Sequence, residues 1–150
     1  MSKAARNTLA AERRKARHYG VQALYQWHMA GAPLSAIEAE FRADYDFSHV
    51  DLEYFQALLH GVPARVDELE ALMTPLLDRP IETLDPIERT LLRMGTFELA
   101  ERIDVPSKGV INEGVARAKQ FGATDGHKYI NGVLDKMAKQ LRQAEVAAAP

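Results

Sequence analysis

The chain reads as all-α, and three features of its sequence carry that reading. Apolar residues recur three and four apart along most of its length, as Ile130, Val133, Leu134, Met137 and Leu141 do, which is the spacing of one buried helix face. The breaks between these runs carry helix-end residues, with Gly or Pro after a run and Ser or Asp-Pro before one. No segment alternates apolar and polar residues between hairpin turns as strands do. About seven helices packed as bundles account for the pattern.

Residues 1–11 lack periodicity and read as a basic mobile tail. A first helix is expected from about Glu12 to Ala30, with Ala16, Tyr19, Ala23, Leu24 and Trp27 as its apolar face and Gly31 and Pro33 as its stop. Ser35 is placed to cap a short helix bearing Ile37, Phe41 and Tyr45. Ser48 and Asp51 form a weak capping pair for a third helix, whose face is Phe55, Leu58, Leu59 and Val62. Gly61-Val62-Pro63 should break or kink it, because proline has no amide hydrogen to donate. Val66, Leu69, Leu72, Met73, Leu76 and Leu77 define a fourth helix ending near Pro80.

Asp85-Pro86-Ile87-Glu88 is the clearest helix start: an acidic cap, a proline at the first helical position, and a glutamate able to reach back. Leu91, Leu92, Met94, Phe97 and Leu99 leave little polar surface on the helix begun there, which marks it as central and buried. Asp104-Val105-Pro106 is a turn. Val110, Ile111, Val115, Ala118 and Phe121 form a sixth helix closed by Gly122. Asp125 is placed to cap a seventh, which fades near Arg142 and leaves residues 143–150 as a frayed end. A chain of 150 residues fits one domain that buries roughly 70% of its unfolded surface, and no Gly-, Ser- or Pro-rich linker splits it.

The composition excludes several functions. Without cysteine there is no disulfide framework, thiol nucleophile or cysteine metal site. No apolar run approaches the roughly 20 residues needed to span a bilayer, and the charged N-terminus is unlike a signal peptide, so the cytoplasm is the expected compartment. No Gly-rich nucleotide loop, H-E-x-x-H or G-x-S-x-G occurs. The five histidines, His18, His28, His49, His60 and His127, never fall three or four apart, so no local metal pair exists. Nothing names a general acid and base. Catalysis is the weaker reading, and no cofactor is expected.

The net charge of −2 hides a strong asymmetry. Residues 1–17 carry a net +5, residues 38–104 a net −10, and residues 108–142 a net +4. Basic ends and an acidic middle suit two kinds of partner, a polyanion and a basic surface. The densest cluster is R-R-K-A-R, residues 13–17. Four cations at the start of a helix oppose its dipole and repel one another, and a polyanion would relieve that strain. At the other end, His127, Lys128, Tyr129 and Asn131 crowd the first turn of the seventh helix, where backbone N–H groups lack partners and attract anions.

Three segments, R-R-K-A-R-H-Y-G-V-Q-A-L-Y-Q-W (13–27), I-N-E-G-V-A-R-A-K-Q-F-G (111–122) and H-K-Y-I-N-G-V-L-D-K (127–136), resemble the bacterial NusB family of transcription antitermination factors. D-P-I-E-R-T-L-L-R (85–93) is similar to that family's central helix, and the resemblance covers about residues 12–142 in order. It implies a fold of two small helical bundles without enzymatic activity or cofactor. It also implies binding of single-stranded boxA RNA from ribosomal RNA leaders in a heterodimer with the ribosomal protein NusE, loaded on RNA polymerase with other Nus factors.

Residue by residue, the resemblance assigns Arg13, Arg14, Lys15 and Arg17 to phosphates, Tyr129 to stacking on a base with Lys128 beside it, and Asp125 to the edge of that surface. For NusE it points to Tyr25, Glu82, Glu88 and Arg89. The residues themselves leave two of these open. Tyr25 lies off the apolar stripe and suits a contact as well as a packing role, and Glu88 suits either a capping box or a partner. Lys3 and Arg6 lie in a segment longer than in short family members, so the resemblance assigns them no role. Gly114 and Gly126 read as positions where larger residues would serve equally well, each costing its helix about 1 kcal/mol. Two other readings are a detached RNA-recognition domain of a ribosomal RNA methyltransferase and a module that binds protein only. A homodimer of the free chain is compatible with the sequence.

Overall fold

The computed structural model describes residues 1–122 and 125–148, and within them it contains eight α-helices, two 3-10 turns and no strand. The helices are α1 (Lys3–Ala30), α2 (Leu34–Asp44), α3 (Leu52–Ala64), α4 (Val66–Met73), α5 (Pro86–Glu101), α6 (Ser107–Phe121), α7 (Gly126–Leu141) and α8 (Gln143–Ala148), with the 3-10 turns at Thr74–Leu76 and Ile81–Thr83. The chain divides into two compact units, residues 1–64 and 65–150.

In the first unit α1 packs on α2 and α3, around Leu24, Ile37, Tyr54, Phe55, Leu58 and Leu59. α1 starts at Lys3 and not near Glu12. The Ser2 hydroxyl accepts from the Ala5 amide at 3.0 Å, which caps it. The two extra turns contain Ala4, Ala5, Ala10 and Ala11, whose intrinsic preference makes helix without any apolar face, so periodicity does not detect them. Gly31 ends α1 in the left-handed conformation at φ 67°, donating to the Trp27 carbonyl, as a Gly C-terminus should. Pro33, not Ser35, precedes α2, with Ser35 inside the helix. Asp51 alone caps α3, accepting from Tyr54 N at 3.0 Å, while Ser48 donates its amide to Asp46. α3 continues through Pro63 to Ala64. A proline in the final turn forfeits one hydrogen bond, and the break falls at Arg65.

In the second unit α5 contacts α4, α6 and α7, and the stretch from Thr90 to Leu99 is buried without interruption. Asp85 caps it as expected, accepting from Ile87 N and Glu88 N, with Pro86 in the first turn. The predicted fourth helix is shorter than expected, closing at Met73 with the 3-10 turn Thr74–Leu76. Gly114 and Gly126 stand closer to neighbouring side chains than their helices alone suggest, so a larger residue at either makes a neighbour shift. A Cβ on Gly114 would stand 2.9 Å from Leu134 Cδ1, and one on Gly126 would stand 2.6 Å from Glu88 Oε1. Both allow α7 to approach its neighbours closely.

The chain does not fade after α7. Arg142 is 5% exposed and its guanidinium binds four backbone carbonyls at the end of α5 and in the following turn: Leu99, Val105, Glu98 and Arg102, at 2.8–3.1 Å. Glu145 on α8 pairs with Arg142 at 2.7 Å and accepts from Ser107 N, at the start of α6, at 2.7 Å. A cation is thus placed where the last carbonyls of α5 lack intrahelical partners. Residues 149–150 of the expected frayed end lie outside the described residues.

Candidate nucleic-acid interface

The arginine-rich segment splits by helical phase. Residues four apart share a helix face, and Arg13 and Arg17 both turn toward α3. Their guanidinium carbons stand 4.9 and 5.1 Å from the ring centroid of Tyr54, which is fully buried. Arg17, 5% exposed, also reaches the Tyr54 hydroxyl at 3.4 Å. Arg13 Nε meets Asp51 Oδ2 at 3.4 Å, and the Asp51 amide donates to the Glu12 carbonyl. The pair therefore ties α1 to the start of α3. Arg14 and Lys15 are exposed, and Lys15 borders a shallow cleft with Asn7, Thr8 and His49. Lys3 and Arg6 are exposed on the first turns of α1, where Arg6 Nη1 donates to the Met1 carbonyl.

In the second unit, Lys128 and Asp125 are exposed at the start of α7 and pair loosely at 3.7 Å. Asp125 makes no side-chain cap; its carbonyl accepts from Lys128 N. Tyr129 is half-buried, and one face of its ring is covered by the Arg79 guanidinium, 4.4 Å from the centroid. Asp78 holds that guanidinium edge-on at 2.7 and 3.2 Å. The Tyr129 hydroxyl is buried beside Asp78 and has no well-formed hydrogen bond among the described residues. Burial, ahead of the Asp78 charge, pushes its pKa up, while the bond from Arg79 holds Asp78 down. Sequence reasoning missed Asp78 and Arg79, which sit between two 3-10 turns with no periodicity to place them.

The residues assigned to a protein partner also separate. Tyr25 is half-buried on α1, and Glu82 is exposed on the turn before α5. Arg89 is engaged from within, making a two-pronged bond to Glu70 of α4 at 2.8 and 3.0 Å, and Glu70 also takes Arg93 at 2.6 Å. Burial opposes ionisation of Glu70, yet the bonds from Arg89 and Arg93 prevail and hold its carboxyl below the ordinary range. Glu88 closes no capping box. It is 9% exposed against the first residue of α7, and burial, then the neighbouring Asp85 charge, raise its pKa. Among the described residues no cluster of His, Cys, Asp or Glu could hold a metal, and no helix is long and apolar enough to cross a membrane.

Among the described residues, eight helices in two units, with exposed cations on α1 and α7, define a small all-α protein of the kind the sequence resembles. The profile of the NusB family matches residues 14–139. The chain belongs to the NusB family, whose members are transcription antitermination proteins and not enzymes. It is 59% identical over 138 residues to "Transcription antitermination protein NusB" of Hahella chejuensis, covering 92% of this chain and 93% of the relative. It is 58% identical over 139 residues to the protein of the same name from Pseudomonas savastanoi pv. phaseolicola, covering 93% and 84%. The solved structure of T. maritima NusB (P3121, Form 2) is similar to this fold with a TM-score of 0.66 and 25% identity, over 85% of this chain and 90% of that one.

Proposed function

We propose that this chain binds single-stranded boxA-type RNA jointly with NusE and so joins the antitermination assembly on RNA polymerase with other Nus factors. The observation that carries the RNA part is the division of the arginine-rich segment. Arg13 and Arg17 serve folding, whereas Arg14 and Lys15 lie exposed on α1. They stand near the middle of α1, beyond the reach of its dipole, and their exposed charge suits phosphates. Lys128 is the exposed cation beside Tyr129. Three phosphate contacts give a log–log salt slope of about −2 for a single strand, which is modest binding. A second protein extending the surface supplies the remainder. Glu82 and Tyr25 are available to a basic partner, while Glu88 and Arg89 act from beneath by fixing α5 against α7 and α4.

The test is a titration of the full chain with a boxA-type RNA and a scrambled control, with and without NusE, at two salt concentrations. Preference for boxA, tightening by NusE, and loss of binding in the Arg14→Glu/Lys15→Glu variant support the reading. A wild-type chain that shows no boxA preference even with NusE present overturns it and leaves a protein-only module.

A further inference from the structure

We propose that Arg79 is the base-stacking surface of this interface and that Tyr129 is the pedestal beneath it. The inference rests on the RNA-binding reading above and changes which side chain meets the base. The Arg79 guanidinium lies over the Tyr129 ring at 4.4 Å, and Asp78 takes its Nε and Nη2 edge at 2.7 and 3.2 Å. These contacts use one face and one edge. The Arg79 side chain is still 47% exposed. Tyr129 has one ring face covered and its hydroxyl buried.

A planar cation held in a fixed plane is a ready platform for a nucleobase. Guanidinium planes stack on unpaired RNA bases as aromatic rings do, and a plane already oriented by Asp78 loses little freedom on binding. Lysine at this position would keep the charge and lose the plane. Asp78 also neutralises Arg79, so Arg79 displaces few counterions from the RNA. Its contribution is therefore to affinity at every salt concentration and not to the salt slope.

The experiment uses the full chain with NusE and a boxA-type RNA carrying 2-aminopurine at successive positions. Fluorescence reports stacking and the titration reports affinity. Wild type should quench one position. Arg79→Ala and Arg79→Lys should both lose that quenching and bind roughly tenfold more weakly, with an unchanged salt slope. Tyr129→Ala should match Arg79→Ala, and the double variant should be no worse than either alone. Far-UV circular dichroism confirms that each variant is folded, and Arg79→Lys, which keeps the pair with Asp78, decides the matter if a truncation is not. Wild-type quenching in Arg79→Lys overturns the proposal in favour of simple charge. Tighter binding by Arg79→Ala with quenching retained overturns it in favour of a bare Tyr129 ring that Arg79 masks. Loss of boxA binding in the wild type itself refutes the functional reading first, and is distinguished from both by occurring without any substitution.

Discussion

Replacing Arg142 with alanine should destabilise the second unit more than any single surface change. The guanidinium is the hydrogen-bond donor to four carbonyls. Glu98 and Arg102 would each retain a backbone partner, because their carbonyls also accept from Arg102 N and Val105 N. The Leu99 and Val105 carbonyls, both at 2.8 Å from Arg142, lose their charged donor. A buried acceptor left without its donor costs about 1–3 kcal/mol. The guanidinium's own desolvation cost is recovered on truncation and offsets part of that. The net loss is about 3 kcal/mol, which for a unit of this size lowers the melting midpoint by roughly 15 °C. Calorimetry of the full chain reads this directly, and hydrogen exchange of the last turn of α5 localises it. Glu145→Ala, which removes one partner of Arg142 and the acceptor for Ser107 N, should cost about 1 kcal/mol. A midpoint drop below roughly 3 °C for Arg142→Ala would show that water satisfies these carbonyls and that the end of the chain does not brace α5.

Four further outcomes concern charged side chains, three buried or partly buried and one exposed. Glu70→Gln should lower stability by about 2 kcal/mol at neutral pH, between the values for exposed and fully buried pairs, because the charge that Arg89 and the 7% exposed Arg93 share is removed. Glu70 has a depressed pKa, so its contribution is complete above the ordinary carboxylate range and lost as pH falls through the lowered value; acid titration of stability in wild type and variant checks this. Glu88 has the opposite sign. Its folded pKa is raised, so the folded state binds the proton more tightly and stability declines as pH rises from the ordinary carboxylate range through the raised value. Glu88→Gln should therefore be more stable than wild type near neutrality and equal to it below that range, as urea midpoints at the two pH values will show. Within the arginine-rich segment, Arg17→Ala should destabilise the first unit by about 2 kcal/mol. Lys15→Ala should leave stability unchanged and make the RNA salt slope shallower by roughly one contact.

The all-α class, the central helix and its Asp-Pro start were legible because each is a local property: helical spacing, a capping side chain, a fixed φ. α5 begins at Pro86 as expected, and its apolar run is buried. Local patterns also misled. The Ala-rich start of α1 has propensity without periodicity, so it read as a tail. The end after Arg142 read as frayed because Gln143–Ala148 has no apolar face, whereas α8 is held by Arg142 and Glu145 through contacts with residues near positions 100 and 107. Gly114 and Gly126 looked dispensable for the same reason. The side chains that crowd them, Leu134 and Glu88, are distant in sequence. Glu88 itself satisfied a capping-box pattern and does something else, since the Asp85 carboxylate alone supplies the cap.

The arginine-rich segment shows how far charge counting reaches and what must be added to it. Counting finds four cations and suggests a polyanion partner, without dividing them. The division was available from helical phase. Leu24 and Val21 are buried. Arg17 stands four residues before Val21 and Arg13 four before that, so the buried stripe extends into the basic cluster. Two guanidiniums on that stripe need an aromatic face and an acid to meet them, and α3 offers Tyr54 with Asp51 at its cap. Arg14 and Lys15 fall off the stripe and stay exposed. Reversing the charge of the whole cluster would therefore confuse two effects, because an unfolded first unit also binds no RNA. The pair Arg14→Glu/Lys15→Glu separates them, since both residues are exposed and Arg13 and Arg17, which pack on Tyr54, are kept. Loss of RNA binding in that variant at unchanged melting temperature assigns the binding to the outer face. A melting temperature that falls as far as in Arg17→Ala would place the outer cations in the fold as well.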